Sequence, residues 1–110
     1  MEEILKRIEL LEYHQQLFIR LLTDSKMDFT KLIIEKNLTR QDVEEFHNLC
    51  DELHIKWEEQ KAEGFVYFHP LMKEFANRLN KKLQVKETIQ ACINEGLYLE
   101  LMNEFAKYVK

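Results

Sequence analysis

The sequence contains very few residues that interrupt regular secondary structure. Its 110 residues include only two glycines and one proline, too few for the many tight turns of a β-sandwich or β-barrel. Residues that favour helices, such as leucine, glutamate and lysine, are abundant instead. Hydrophobic residues make up 45% of the chain and charged residues 33%, as in ordinary globular proteins. We therefore predict one all-α domain over residues 1–110, with five or six helices and a long N-terminal helix.

The sequence is also poor in thiols. Cys50 and Cys92 are the only cysteines, and they are far apart in the chain. Neither a disulfide framework nor a thiolate zinc site is therefore indicated. We predict that both cysteines are reduced residues of the hydrophobic core.

Long apolar runs and an excess of positive charge are absent as well. No stretch approaches the roughly 20 apolar residues of a membrane span, and charges at Lys6 and Arg7 interrupt any signal sequence. The formal net charge is -4, so no overall basic field attracts nucleic acid or anionic lipid. We expect a cytoplasmic protein without a nucleic-acid or membrane partner.

The first 22 residues carry the clearest apolar repeat. Six residues recur at alternating steps of four and three, and the one polar member lies near the middle: Ile4, Ile8, Leu11, Gln15, Phe18 and Leu22. This spacing predicts a helix with an oligomer seam, in which Gln15 is either a gap at the surface or a buried polar layer that sets the register.

A second apolar stripe lies nearly opposite the first on the same predicted helix. It consists of Leu10, Tyr13, Leu17 and Leu21. A helix with two apolar faces needs two sets of partners. We therefore predict that it is sandwiched between its own bundle and a symmetry mate, in a homo-oligomer that is a dimer or a trimer.

Local start and stop signals divide the rest of the chain into helices. A short helix over residues 29–36 is expected to end at Asn37, in the left-handed conformation. Thr39 and Asp42 form a capping box that begins a long third helix, which Gly64 ends. We predict a fourth helix from Pro70 to about Leu83. A fifth helix should stop at Gly96, and a sixth should follow it.

Three side chains on the third helix are a candidate metal site. His47, Asp51 and His54 are spaced four and three residues apart, so they share one face of a helix. The third helix has an apolar repeat of its own, which runs from Val43 through Phe46, Cys50 and Leu53 to Trp57. The alternative is that both histidines border this repeat on a solvated acidic face. We favour this alternative, because no second helix supplies further histidine and glutamate ligands. We therefore expect no metal and no cofactor.

An aromatic segment precedes the fourth helix. Phe65, Tyr67 and His69 alternate along an expected extended stretch and could line a groove for a peptide or a small apolar ligand. The alternative is an aromatic plug that crosses the core between helices. We favour the plug, because aromatic runs without polar spacing usually lie buried.

Motifs of enzymes and DNA-binding proteins are missing. Ser25 is the only serine and lies in a polar loop, and two isolated glycines cannot build a phosphate-binding loop. Residues 31–53 could form a helix-turn-helix, but the strongly acidic third helix would repel phosphates. Only a small basic cluster, formed by Arg78, Lys81, Lys82 and Lys86, could contact nucleic acid. We therefore expect a protein that is not an enzyme.

Three stretches of the chain resemble a known family. They are residues 38–45 with 49–53, residues 64–71, and residues 96–98 with Leu101 and Met102. The run Gly-Phe-Val-Tyr-Phe-His-Pro is the most specific part. In these stretches the chain resembles the YhaI-type family of small uncharacterised Bacillus proteins. The resemblance implies an all-helical fold that assembles as a homo-oligomer, and it implies no activity.

These observations favour a homo-oligomeric interaction protein, acting as an adaptor or a regulator. Its expected partners are further copies of itself and, as a second class of partner, another protein. The alternative function is a helical module that binds a small ligand or a metal, through Tyr67 and His69 or through His47 and His54.

Overall fold

The computed structural model describes residues 1–23 and 26–109. Over those residues the chain forms six α-helices and no strand, which confirms the predicted all-α class. The helices are α1 (Glu2–Leu21), α2 (Asp28–Glu35), α3 (Arg40–Ala62), α4 (His69–Arg78), α5 (Val85–Glu95) and α6 (Leu99–Ala106). Ser25, which we placed in a polar loop, lies outside the described residues.

The local signals at the helix ends are confirmed. The Asp42 amide donates to Thr39 Oγ1 over 3.0 Å, and the Thr39 amide donates to Asp42 Oδ2 over 2.9 Å. The second bond is the main reason why the pKa of Asp42 is lowered. Asn37 and Gly96 have φ angles of 54° and 81°, the left-handed conformation expected just after a helix.

The hydrophobic core is built around α3. Phe46, Cys50, Leu53 and Trp57 are buried along one face of this helix, as the sequence repeat predicts. Helices α2, α4, α5 and α6 add further buried side chains to this core, which include Leu71, Phe75, Ile89, Leu101 and Phe105. Cys50 and Cys92 are free and buried, so the prediction that they are core residues is confirmed.

The C-terminal end of α4 differs from the prediction. The helix ends at Arg78, and Leu79 already has an extended backbone, whereas we expected the helix to continue to about Leu83. The reason is a local turn, in which the Lys82 amide donates to Asn80 Oδ1 over 2.8 Å. Leu79 and Leu83 are nevertheless buried, because the turn returns the chain to the core.

Helix α5 packs closely on α2 through polar as well as apolar contacts. The Thr30 amide, in the first turn of α2, donates to Glu95 Oε1 over 2.9 Å, and the Thr30 hydroxyl lies 3.1 Å from both Glu95 oxygens. Asn94 Nδ2 donates to Asp28 Oδ2 over 2.7 Å. A carboxylate from one helix thus caps the positive end of another.

Helix α1 lies at the edge of its own bundle, and its predicted contact with a symmetry mate stays a prediction. None of its residues is buried, and its main packing partner is α2. The reason is length: α2 has only eight residues against 20 in α1, so it can cover only part of α1. The described chain is accordingly elongated, with extents of 61 × 28 × 21 Å.

Candidate functional site

Helix α1 carries an extensive exposed apolar surface. Every side chain over residues 2–14 is exposed. Many of the exposed side chains are large and apolar. Apart from Leu5, they come from the two predicted stripes: Ile4, Ile8, Leu10, Leu11, Tyr13, Phe18 and Leu21. Phe18 and Leu21 are 62% and 76% exposed. An apolar surface of this extent on one helix is typical of an interaction site.

The C-terminal half of α1 and the neighbouring α2 form a groove, which we call the α1–α2 groove. It has a volume of about 490 Å³ and is lined by Leu11, His14, Gln15, Phe18, Ile33, Ile34, Asn37 and Leu38. Gln15 is half-buried there, and its Nε2 donates to the Ile34 carbonyl over 3.1 Å. Gln15 is therefore not a gap in the surface, and its predicted role in setting the register of an oligomer stays a prediction.

A second concave surface, the α3–α6 cleft, lies between the middle of α3 and the start of α6. Its volume is about 550 Å³, and it is lined by Asp51, His54, Ile55, Tyr98, Leu99, Glu100 and Leu101. Ile55 and Leu99 are both exposed. The cleft therefore combines an apolar floor with carboxylates, an imidazole and a phenol.

Tyr98 holds an unusual conformation at this cleft. Its φ angle is 50°, in the left-handed region that few residues other than glycine adopt. Its hydroxyl lies 3.0 Å from His47 Nδ1 and 3.3 Å from the His47 carbonyl oxygen. Burial, together with the neighbouring Asp51, raises the pKa of the Tyr98 hydroxyl well above its ordinary value. The phenol is therefore neutral at physiological pH and serves as a hydrogen-bonding group.

The candidate metal ligands on α3 are only partly brought together. Asp51 and His54 both line the α3–α6 cleft, whereas His47 interacts with Tyr98. His54 Nε2 instead lies 3.7 Å from Glu58 Oε1. Within residues 1–23 and 26–109, no group of three or more histidine, cysteine, aspartate or glutamate side chains is placed to hold a metal ion.

The favoured aromatic plug is wrong for most of the segment before α4. Phe65 and Tyr67 are 51% and 60% exposed, and only Phe68 enters the core. The Phe65 amide closes the end of α3 by donating to the Gln60 carbonyl over 2.9 Å. The chain therefore leaves α3 along the surface and turns inward at Phe68, whose amide donates to the Tyr108 hydroxyl.

Two of the three candidate groove residues in this segment lie in one surface cluster. The ring centroids of Tyr67 and His69 are 5.9 Å apart, and Tyr108 lies 5.6 Å from the first and 5.4 Å from the second. Phe65 makes no ring contact with the members of this cluster.

The basic cluster that could have contacted nucleic acid is partly neutralised. Arg78 forms ion pairs with Glu52 and Glu74. Lys82 Nζ lies 3.4 Å from Asp42 Oδ2. These pairs leave less positive charge for an anionic partner than the sequence alone indicates.

Two features were not predicted from the sequence. They are the contribution of α2 to the α1–α2 groove and the position of Tyr98 at the α3–α6 cleft. Periodicity predicts a helix at α2 but does not show which neighbour its apolar face meets. For Tyr98 no local signal exists, because a left-handed backbone is expected at glycine or asparagine rather than at tyrosine.

Comparison with protein families adds one relationship. A profile described as "Protein of unknown function (DUF1878)" matches residues 1–110 of this chain. The chain belongs to this family. In this DUF1878 protein, no helix over the described residues is both long enough and apolar enough to cross a membrane.

Proposed function

We propose that this DUF1878 protein is a non-enzymatic, cytoplasmic interaction protein that self-associates through α1. In its assembled form it acts as an adaptor or a regulator for another protein. The assembly is a dimer or a trimer, and the protein uses no cofactor and no metal. A YhaI-like, Bacillus-type origin is part of this proposal and rests on the run over residues 64–71.

The observation that carries the proposal is the exposure of α1. This helix contributes no residue to the core, although it displays apolar side chains on two faces. Exposed apolar surface is costly in water, at roughly 25 cal/mol per Å². Association with further copies would cover that surface and would stabilise the helix along its length.

The test is the molar mass in solution, measured by light scattering. We expect wild-type protein to have two or three times the chain mass of 13.4 kDa. The double variant Ile8→Lys, Phe18→Lys should be a monomer, because it places two charges in the apolar seam. Its core should remain intact, since neither side chain is buried.

A matched control places the same charges elsewhere on α1. Glu9 and Gln16 lie outside both apolar stripes, and both are exposed. The variant Glu9→Lys, Gln16→Lys should therefore keep the wild-type mass. A monomeric wild-type protein, or equal dissociation of both variants, would overturn the proposal.

The alternative function is a module that binds a small ligand, and the α3–α6 cleft favours it. Asp51, His54 and Tyr98 converge there around an apolar floor, and a few polar groups over apolar walls are typical of ligand pockets. If wild-type protein is a monomer, this cleft becomes the better candidate site, and the search moves from protein partners to small molecules.

A further inference from the structure

We propose that the α1–α2 groove receives the N-terminal half of α1 from a second copy of this chain, in an antiparallel pair with two-fold symmetry. This inference rests on the proposed self-association and specifies its geometry. The two halves of α1 differ in the packing partners that their own chain provides.

The N-terminal half of α1 has no packing partner among the described residues of its own chain. All side chains over residues 2–10 are exposed, and none of them lines the groove beside α2. A helical segment of about ten residues is marginal in water without tertiary contacts. The C-terminal half, by contrast, forms one wall of a groove whose other wall is α2. The N-terminal half thus lacks a packing partner within the described chain, whereas the C-terminal half forms a groove together with α2.

An antiparallel arrangement brings these two halves together in both copies at once. The seam repeats at steps of four and three in either direction, so it matches its own reverse. When two α1 helices cross near residue 13, every seam residue meets another seam residue. The opposed pairs are Ile4 with Leu22, Ile8 with Phe18, and Leu11 with Gln15.

Gln15, the polar residue of the seam, is compatible with the antiparallel pair. A buried amide at a seam position often selects a parallel pair, because it hydrogen-bonds to its own copy in the neighbouring helix. Here Gln15 Nε2 already donates to the Ile34 carbonyl. One of its donors is therefore already used within the chain, and its aliphatic stem can contact Leu11 of the second chain.

The groove and the N-terminal half of α1 together offer a continuous apolar surface to a second copy. On α1 its exposed apolar seam residues are Ile4, Ile8, Leu11 and Phe18, and the α2 wall adds Ile33, Ile34, Asn37 and Leu38. The outer face of α1, which carries Glu9 and Gln16, takes no part in it. A two-fold pair uses the groove and the N-terminal half of each chain simultaneously, so that both contribute to one continuous interface.

A parallel pair is the main competing geometry. It would place Arg7 of one chain near Glu12 of the other, and such exposed pairs contribute roughly 0.2–1 kcal/mol. It would, however, place the two N-terminal halves against each other, so that neither groove would receive an N-terminal half. Only the antiparallel pair brings an N-terminal half, which has no packing partner in the described part of its own chain, against an α1–α2 groove.

Cross-linking of single cysteines distinguishes the two geometries. The native thiols Cys50 and Cys92 are buried, so an exposed introduced cysteine reacts selectively with the short thiol-to-thiol reagent bismaleimidoethane. Three variants with exposed sites on α1 are required: His14→Cys beside the two-fold axis, Ile4→Cys near the helix end, and Glu9→Cys on an outer face as a control. Light scattering on each variant shows whether the wild-type assembly is kept.

In the antiparallel pair, His14→Cys should cross-link to a species of twice the chain mass. The two Ile4→Cys thiols should fail to do so, because about 18 residues of helix, or roughly 27 Å, separate them. Wild-type protein and Glu9→Cys should also remain uncross-linked. A dimer in which Ile4→Cys cross-links efficiently would be parallel and would overturn this inference, while the proposed self-association would stand.

Two further outcomes would also overturn the antiparallel pair. An assembly in which His14→Cys does not cross-link, including a trimer, also overturns the antiparallel pair and leaves self-association in place. A monomeric wild-type protein overturns both proposals, and the groove is then a site for a different occupant.

Discussion

Two threonines illustrate how the surroundings of one hydroxyl group change its contribution to stability. The side chain of Thr88 on α5 is fully buried, and its hydroxyl has no hydrogen-bond partner among the described residues. The hydroxyl of Thr30 on α2 lies 3.1 Å from both carboxylate oxygens of Glu95. A buried polar group without a partner is destabilising, whereas a bond to a carboxylate is stabilising.

We predict that valine has opposite effects at these two positions. Thr88→Val should raise the free energy of unfolding by about 1 kcal/mol, because it removes a desolvated hydroxyl while keeping the shape of the side chain. Thr30→Val should lower it by about 1 kcal/mol, because it removes a bond between α2 and α5. Urea unfolding of the two variants and of wild-type protein measures both changes. Destabilisation by Thr88→Val would show that this hydroxyl is bonded.

At the scale of elements, a network of four charged side chains joins α3 to α4. Lys56 Nζ lies 2.9 Å from Glu74 and 3.7 Å from Glu52. Arg78 forms ion pairs with both carboxylates. Hydrogen bonds from Lys56 lower the pKa of Glu74, and those from Arg78 lower the pKa of Glu52. The network is largely exposed, so its effect is modest and falls as the salt concentration rises.

This network predicts a loss of stability in acid. A carboxylate whose pKa is lower in the folded protein stabilises the fold above its unfolded pKa, near 4.3 for glutamate. That stabilisation is lost as the pH falls through the folded pKa. The urea midpoint of wild-type protein should therefore fall between about pH 6 and about pH 3. Arg78→Gln should show a smaller fall, and identical acid dependence in both proteins would contradict the assignment.

The element scale is also where the sequence was most informative. The boundaries at Thr39, Asn37 and Gly96 are fixed by contacts within a few residues, so local signals identify them. The end of α4 was missed because the turn at Asn80 competes with an apolar repeat that would continue the helix. The α3–α6 cleft could not be predicted, because it depends on how residues about 50 positions apart come together.

At the scale of the whole molecule, the long N-terminal helix makes the described chain more extended than a typical domain of its length. Its radius of gyration is 16.9 Å, against about 13 Å for a compact domain of about 100 residues. The difference comes from α1, which lies outside the core. Periodicity showed that this helix has two apolar faces, but it could not show which partner covers them, because that depends on surfaces beyond the helix itself.

The position of α1 leads to a final prediction about the thermal stability of the assembly. If association covers α1, dissociation precedes or accompanies unfolding, and the melting temperature of wild-type protein should rise with protein concentration. The variant Ile8→Lys, Phe18→Lys should melt at a temperature that does not depend on concentration. Its transition should remain cooperative, because the core contains no α1 residue. Circular dichroism over a hundredfold range of concentration measures both, and a concentration-independent wild-type melting temperature would show that α1 does not couple assembly to stability.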